Sequence, residues 1–132
     1  MRVNNIKRIL AAALAVAVIM AMAVPAYAVQ PRYAEIYSID CSVDINNNIA
    51  ECFVKVIGIR SDYTYTVRMM LYQDDQDYDW WDGSGLDVVN MTRTCYVTRG
   101  YDYYVGVHVK VYDTNGNLVE QAIAYSETYE YH

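Results

Sequence analysis

Apolar and polar residues alternate along most of this chain, and the alternation is clearest between Tyr101 and Tyr112. Every second position of that segment is apolar, namely Tyr103, Val105, Val107, Val109 and Val111. Only a strand places alternate residues on opposite faces, so the segment predicts a strand with one face in a core. The Arg99-Gly100 pair before it and residues 113–116 after it are typical of turns.

The same alternation predicts a hairpin near the start. Its apolar positions are Ile39, Cys41, Val43 and Ile45 on one strand, and Ala50, Cys52, Val54 and Val56 on the next. A two-residue turn at Asn46-Asn47 keeps these residues facing one another and places Cys41 opposite Cys52. A third strand follows over residues 63–71.

Two further patterns concern the second half of the chain. Within residues 86–97 the apolar residues first occupy even positions, Leu86 and Val88, and then odd ones, from Val89 to Val97. This change predicts a bulge or a break between strands near Val88 to Asn90. A type I turn over residues 113–116, closed by a left-handed Gly116, predicts a last hairpin. The expected register sets Val111 opposite Val119, Val107 opposite Ile123 and Lys110 opposite Glu120.

Six or seven short strands in about 100 residues, with no helical period, indicate an all-β fold. We expect a single immunoglobulin-like, two-sheet antiparallel β-sandwich. Tyr103 stands early in the sixth strand, two residues before the core position Val105. This is the place of a tyrosine corner, in which the hydroxyl bonds back to the backbone.

The first 28 residues have the order of a secretory signal peptide. Arg2, Lys7 and Arg8 precede an apolar run over residues 9–24, and Ala26-Tyr27-Ala28 follows as a cleavage site. An N-terminal membrane anchor is the alternative, but a run of about 16 residues is short for a spanning helix. We therefore predict a signal peptide over residues 1–28 and a secreted, extracellular domain over residues 29–132.

The net charge of the chain indicates which kinds of partner it can bind. The predicted mature chain has seven basic and sixteen acidic residues, a net charge of −9. Nucleic acids and anionic membranes favour basic surfaces, so we expect neither as a partner after signal cleavage. The expected partner is an unknown extracellular glycan or protein, bound by a monomer.

Residues 74–82 combine five Asp residues with three aromatic ones. We expect a loop here, with at most a short edge strand over residues 78–81. Adjacent strand residues point to opposite faces, so at least one Trp must contact solvent. The candidate ligand-binding residues are Tyr78, Trp80, Trp81, Asp77, Asp79 and Asp82. Outward Tyr72, Tyr104 and Tyr112 are further contact candidates, and the alternative is a solvated acidic segment that protects a sheet edge.

No catalytic motif is present, so we expect a non-catalytic binding or interaction module without a cofactor. Asp75, Asp77 and Asp79 begin like a calcium loop, but Trp80 and Leu86 stand where that loop needs Gly and Glu. We therefore expect no metal. A weak Ca²⁺ site and a bacteriocin-like or toxin-like role remain alternatives.

Three cysteines, Cys41, Cys52 and Cys95, occupy predicted inward positions. The hairpin register favours a Cys41–Cys52 disulfide, with Cys52–Cys95 as the next pairing. The alternative is that all three stay reduced and act as small buried apolar groups.

Several segments resemble known sequences: the strand around Cys52, Gln30-Pro31-Arg32-Tyr33, Asp62-Tyr63-Thr64, Arg99-Gly100-Tyr101-Asp102-Tyr103 and the stretch from Tyr112 to Glu120. Together they resemble a group of small exported proteins from Gram-positive, often gut-dwelling, bacteria of the Firmicutes type, whose function is uncharacterised. The resemblance implies a secreted β-sandwich and supplies no catalytic residue. This chain differs where Asp and Trp replace a Ser/Lys-rich loop of that group.

Overall fold

The computed structural model describes Tyr33–His132, which form two antiparallel sheets packed face to face. The predicted signal peptide over residues 1–28 lies outside the described residues. Within residues 33–132 there are eight strands and no helix: β1 (Ile36–Asn46), β2 (Ile49–Gly58), β3 (Thr64–Gln73), β4 (Gln76–Leu86), β5 (Val88–Tyr96), β6 (Tyr101–Tyr112), β7 (Leu118–Tyr125) and β8 (Tyr129–Tyr131). This part of the chain accordingly has no helix that could span a membrane.

Sheet A has the strand order β1-β2-β5, and sheet B has the order β4-β3-β6-β7, with β8 paired to the beginning of β6. The predicted two-sheet sandwich is confirmed. The strand count exceeds the prediction because the acidic segment forms the full strand β4 and because β8 follows β7. In the seven-strand immunoglobulin constant domain the fourth strand lies beside the fifth. Here β4 pairs with β3 instead, which widens sheet B.

The core lies between the sheets and is built from the predicted alternating positions. The inward residues of β6, from Tyr103 to Val111, are all buried. They meet the buried side chains Val54 and Val56 of β2 and Met69 of β3 in one apolar cluster. Burial of each such side chain stabilises the fold by about 1.5–3 kcal/mol.

Tyr103 forms the predicted tyrosine corner. Its hydroxyl donates to Thr98 O at 2.9 Å and accepts from Thr98 N at 3.1 Å. Gln73 Nε2 donates to the same oxygen at 2.8 Å. The corner therefore fixes the connection between β5 and β6 against the core.

The first hairpin turns one residue later than predicted. Asn47 and Asn48 form its two-residue turn, with φ of 53° and 63°. Val43 therefore pairs with Cys52 and Cys41 with Val54, two residues from the expected register. The shift keeps inward residues opposite one another, so the alternation alone could not exclude it. The Tyr131 hydroxyl donates to Asn48 Oδ1, and this bond holds the turn in place.

The register predicted for the last hairpin was wrong by one residue. A bulge at Tyr112 sets Val111 opposite Glu120 and Lys110 opposite Gln121. Ala122 consequently points inward and is buried, whereas Ile123 is 58% exposed. The predicted left-handed glycine is confirmed, since Gly116 has a φ of 82°.

The apolar residues change from even to odd positions at the point where the chain crosses from sheet B to sheet A. β4 of sheet B ends at Leu86, β5 of sheet A begins at Val88, and Asp87 between them has a φ of 69°. The break occurs one residue before the predicted range. A single left-handed residue thus redirects the chain across the sandwich.

Candidate ligand-binding face

The acidic, aromatic segment is an edge strand rather than the predicted loop. A two-residue turn at Asp74 and Asp75, with φ of 46° and 65°, joins β3 to β4. Both residues are left-handed, which is the geometry of a tight hairpin turn matching the strand twist. Pairing with β3 along its whole length then holds β4 extended despite its low β-propensity.

The strand separates the predicted site residues onto two faces of sheet B. Trp80 pairs with Met70 and points outward, with 53% of its surface exposed. Trp81 pairs with Met69, and its half-buried side chain packs against the core. The prediction that at least one Trp contacts solvent is confirmed, but the two do not share a surface.

The remaining predicted residues divide similarly. Asp82 lies on the outer face, where it meets Arg68. Tyr78 stands at the bulge in the β3–β4 pairing, and its hydroxyl donates to Tyr96 O at 2.6 Å. Asp79 accepts a hydrogen bond from the Trp80 backbone at 2.8 Å, and Asp77 lies exposed near the turn. Trp81 and Asp79 therefore face the core side, whereas Asp77, which pairs with Tyr72, lies on the outer face together with Trp80 and Asp82.

Arg68 contacts both Trp80 and Asp82 on the outer face. Its Nε and Nη2 donate to the two carboxylate oxygens of Asp82 at 2.8 and 3.0 Å. Its guanidinium carbon lies 4.4 Å from the centroid of the Trp80 ring. Hydrogen bonding and charge attraction from Arg68 lower the pKa of Asp82, and Asp82 raises the pKa of Arg68. Arg68 is thus held flat over the indole and neutralised by Asp82.

A patch of tyrosines adjoins Trp80 on the same face. Tyr72 and Tyr104 stack with ring centroids 4.8 Å apart and an interplanar angle of 18°. The ring centroids of Tyr125 and Tyr104 lie 6.0 Å apart, with an interplanar angle of 70°. Tyr125 is 62% exposed. Partial burial raises the pKa of Tyr72, with smaller contributions from Tyr125 and Asp77. We call Trp80, Met70, Tyr72, Tyr104 and Tyr125 the aromatic patch.

Gly106 leaves room for two of these rings to pack over the backbone of β6. A Cβ atom at this position would stand 2.7 Å from Tyr72 Cε2 and 3.2 Å from Tyr125 Cε1. Gly106 lies between Met70 and Tyr125 in a row across β3, β6 and β7, and Trp80 extends that row onto β4. The absence of a side chain at Gly106 therefore lets Tyr72 and Tyr125 pack over the backbone in a patch that extends across four strands.

A shallow groove of about 550 Å³ continues from the aromatic patch along the same face. Its polar lining residues are Thr66, Arg68, Asp82, Ser84, His108 and Lys110. We call it the polar groove. Tyr112, one of the predicted contact residues, closes it at one end.

The residues that sequence reasoning missed are Arg68, Gly106, Lys110 and Tyr125. The first three occupy the polar, outward positions of the alternating pattern on β3 and β6, which could have indicated that they lie on this face. Tyr125 was missed because its facing depends on the bulge in the last hairpin.

The arrangement of the acidic, histidine and cysteine side chains bears on metal binding and on disulfide formation. Within residues 33–132 no group of three or more His, Cys, Asp or Glu side chains is arranged to hold a metal ion. Cys41, Cys52 and Cys95 are free thiols, so the predicted Cys41–Cys52 bond is not formed. In the observed register Cys41 and Cys52 are diagonal neighbours, about 7–8 Å apart. A disulfide needs Cα atoms within about 4.4–6.8 Å.

Burial also keeps the thiols protonated. It raises the pKa of Cys52 from 9.0 to about 12, with additions from Cys95, Asp79 and Glu51. It raises the pKa of Cys95 to about 11, with an addition from Asp79. Neither thiol has the lowered pKa of a nucleophile.

Comparison of the sequence with protein-family models gives no match, and comparison with curated proteins gives no significant match.

Proposed function

We propose that this protein is a secreted, non-catalytic glycan-binding module that holds its ligand on the outer face of sheet B. The observation that carries the proposal is the aromatic patch, in which Trp80 and three tyrosines lie on four neighbouring strands and two of the tyrosines pack over Gly106. The polar groove beside it supplies hydroxyl, amine and carboxylate groups.

The physical basis is the two-sided chemistry of sugars. A pyranose ring has apolar C–H faces that pack on flat aromatic rings, and it has hydroxyls around its rim that need hydrogen-bond partners. The aromatic patch offers the first and the polar groove offers the second. The groove volume falls within the range of about 300–1,000 Å³ that is usual for ligand sites.

Immobilisation of the side chains also supports binding. Tyr72 and Tyr104 brace each other, and Arg68 is held between Asp82 and Trp80. Groups already fixed in the free protein lose little conformational entropy when a ligand binds, so more of the contact energy appears as affinity.

The test is a binding screen of the domain against immobilised polysaccharides and purified bacterial cell walls. We expect at least one to bind, and Trp80→Ala to weaken binding about tenfold or more, which corresponds to about 1.4 kcal/mol. The matched control is Tyr37→Ala, since Tyr37 is an exposed aromatic residue on β1 of sheet A. This variant should bind as the natural protein does.

Trp81→Ala separates binding from folding. Trp81 packs on the core, so its loss should lower the free energy of unfolding while leaving the outer face in place. The absence of binding across the whole screen, or equal binding by the natural protein and Trp80→Ala, would overturn the proposal.

A further inference from the structure

We infer that the glycan is acidic and that Lys110 binds one of its carboxylates in the polar groove. This inference rests on the proposed function and specifies the ligand class of the same face. Its starting point is the distribution of charge across the outer face of sheet B.

Lys110 is the cation of the groove whose charge is not neutralised. Arg68 is paired with Asp82, the carboxylate among the residues that line the groove. Lys110 forms no ion pair within residues 33–132, and its side chain is half-buried beside Thr66. The groove therefore has a local surplus of positive charge on a chain whose formal net charge is −6.

An anion placed against the Lys110 ammonium would meet no competing ion pair from residues 33–132, and the protein beside the half-buried side chain weakens screening by water. A hydrogen bond between two charged groups has roughly twice the energy of one between neutral groups. A carboxylate on the ligand would gain this energy, whereas a hydroxyl in the same place would not.

The neighbours of Lys110 suit the rest of a sugar ring. Ser84, Thr66 and Lys110 form one row across β4, β3 and β6, so two hydroxyl-bearing residues share the face with Lys110, and the Thr66 hydroxyl donates to Lys110 O at 3.4 Å. His108 Nε2 lies 3.1 Å from Gln121 Oε1, which fixes the imidazole at the edge of the groove. These groups can donate to and accept from sugar hydroxyls.

The distance along β6 sets the length of the ligand. Gly106, at the centre of the aromatic patch, lies four residues from Lys110, which corresponds to about 13 Å along a strand. One sugar ring cannot reach both. The ligand is therefore an oligosaccharide that stacks one ring on the aromatic patch and places an acidic ring over Lys110.

The experiment measures the affinity of the domain for tetragalacturonate and for its fully methyl-esterified form, by calorimetry in 150 mM NaCl. At that salt concentration charges more than about 8 Å apart are screened, so the acidity of the remaining surface has little influence. An oligomer of mannuronate serves as a second acidic probe. We expect at least one acidic oligomer to bind at least tenfold more tightly than the methyl ester.

The variants assign this preference to one residue. Lys110→Gln should lose the preference and bind the acidic oligomer no more tightly than the ester. Lys55→Gln is the matched control on β2 of sheet A and should keep the full preference. Both variants should unfold at the urea midpoint of the natural protein.

The outcomes separate this inference from the proposed function. Equal affinity for the acidic oligomers and the ester, or a preference that survives in Lys110→Gln, would overturn the inference alone. Failure of both acidic oligomers, together with Trp80-dependent binding of a neutral polysaccharide, would also overturn it alone. Failure of every glycan and cell wall in the screen would overturn both proposals.

Discussion

Buried tyrosine hydroxyls fasten the connections of this sandwich to its core. The Tyr65 hydroxyl donates to Glu35 O at 2.7 Å and accepts from Arg60 N at 3.3 Å, and Tyr103 makes the equivalent pair of bonds with Thr98. In the described part of the chain no buried side-chain polar atom lacks a partner. Each hydroxyl thus combines a large buried ring with a fixed loop.

The first prediction removes one of these hydroxyls. Tyr103→Phe should lower the free energy of unfolding by about 1–3 kcal/mol, because the backbone of Thr98 loses its partner inside the protein. Urea unfolding at neutral pH measures the change. Tyr101→Phe is the control, since Tyr101 is exposed, and its free energy of unfolding should stay within about 0.5 kcal/mol of the natural value. Equal stability of both variants would contradict the role of the corner.

The thiols give a prediction on pH. Folding raises the pKa of Cys52 to about 12 and that of Cys95 to about 11, from 9.0. The folded state therefore holds these protons more tightly than the unfolded state does. This stability is fully present below pH 9 and is lost as the pH rises towards 11 and 12.

We accordingly expect the free energy of unfolding to fall above pH 9, by up to about 1.4 kcal/mol per pH unit for each thiol. Urea unfolding at pH 8, 9 and 10 checks this. The pKa of Cys95 is raised from 9.0 to about 11 as well, so part of the slope should remain in Cys52→Ala. Identical slopes in the variant and the natural protein would contradict the assignment to Cys52.

Two of the hairpins have two-residue turns with left-handed residues, and substitutions in these turns can be compared. Asp74 and Asp75 are both left-handed, and the Asp74 carboxylate accepts from Asp102 N at 2.8 Å. Glycine at the second position removes the cost of the left-handed backbone and one of two adjacent negative charges. Asp75→Gly should raise the free energy of unfolding by up to about 0.5–1 kcal/mol, reduced by the loss of the hydrogen bond between the Asp75 side chain and Tyr104.

Asn48→Gly in the other turn is the matched control. Asn48 is also left-handed, but its Oδ1 accepts from the Tyr131 hydroxyl, so the substitution should give no gain. Urea unfolding of both variants decides the point. A lower stability for Asp75→Gly, or a gain at both turns, would contradict this account of the turns.

The elements also differ in how far the sequence could predict them. Alternation was sufficient for β6, for its tyrosine corner and for the break between β4 and β5. It could not fix the first hairpin, because a two-residue shift leaves every inward residue inward. Nor could it predict the bulge at Tyr112, which reverses the facing of Val119 and Ile123.

For β4 the local composition favoured a loop, since Asp and Gly are poor strand residues. Pairing with β3 over the full strand overrides that preference. The exposure of Trp80 could be predicted from alternation on a strand. The packing of tyrosine rings over Gly106 could not, because it depends on which residues three different strands bring together.

At the scale of the whole molecule, stability should not depend on divalent cations. Asp77 and Asp79 stand on an extended edge strand, and residues 33–132 contain no cluster of ligands suited to a metal. We expect the same thermal midpoint in millimolar CaCl₂ and in EDTA. A rise of about 5 °C or more with calcium would contradict this, since it corresponds to about 1 kcal/mol of binding energy in a domain of this size.

The connections between the strands have a consequence for the lifetime of the domain. In the described part of the chain none is longer than five residues, and the link between β4 and β5 is the single residue Asp87. Proteases cut exposed, mobile loop tips, and here each loop is too short to enter a protease cleft without separating the strands beside it. Digestion must then wait for the whole sandwich to open, so its rate follows the unfolding equilibrium. A domain built in this way is suited to persist where proteases are abundant.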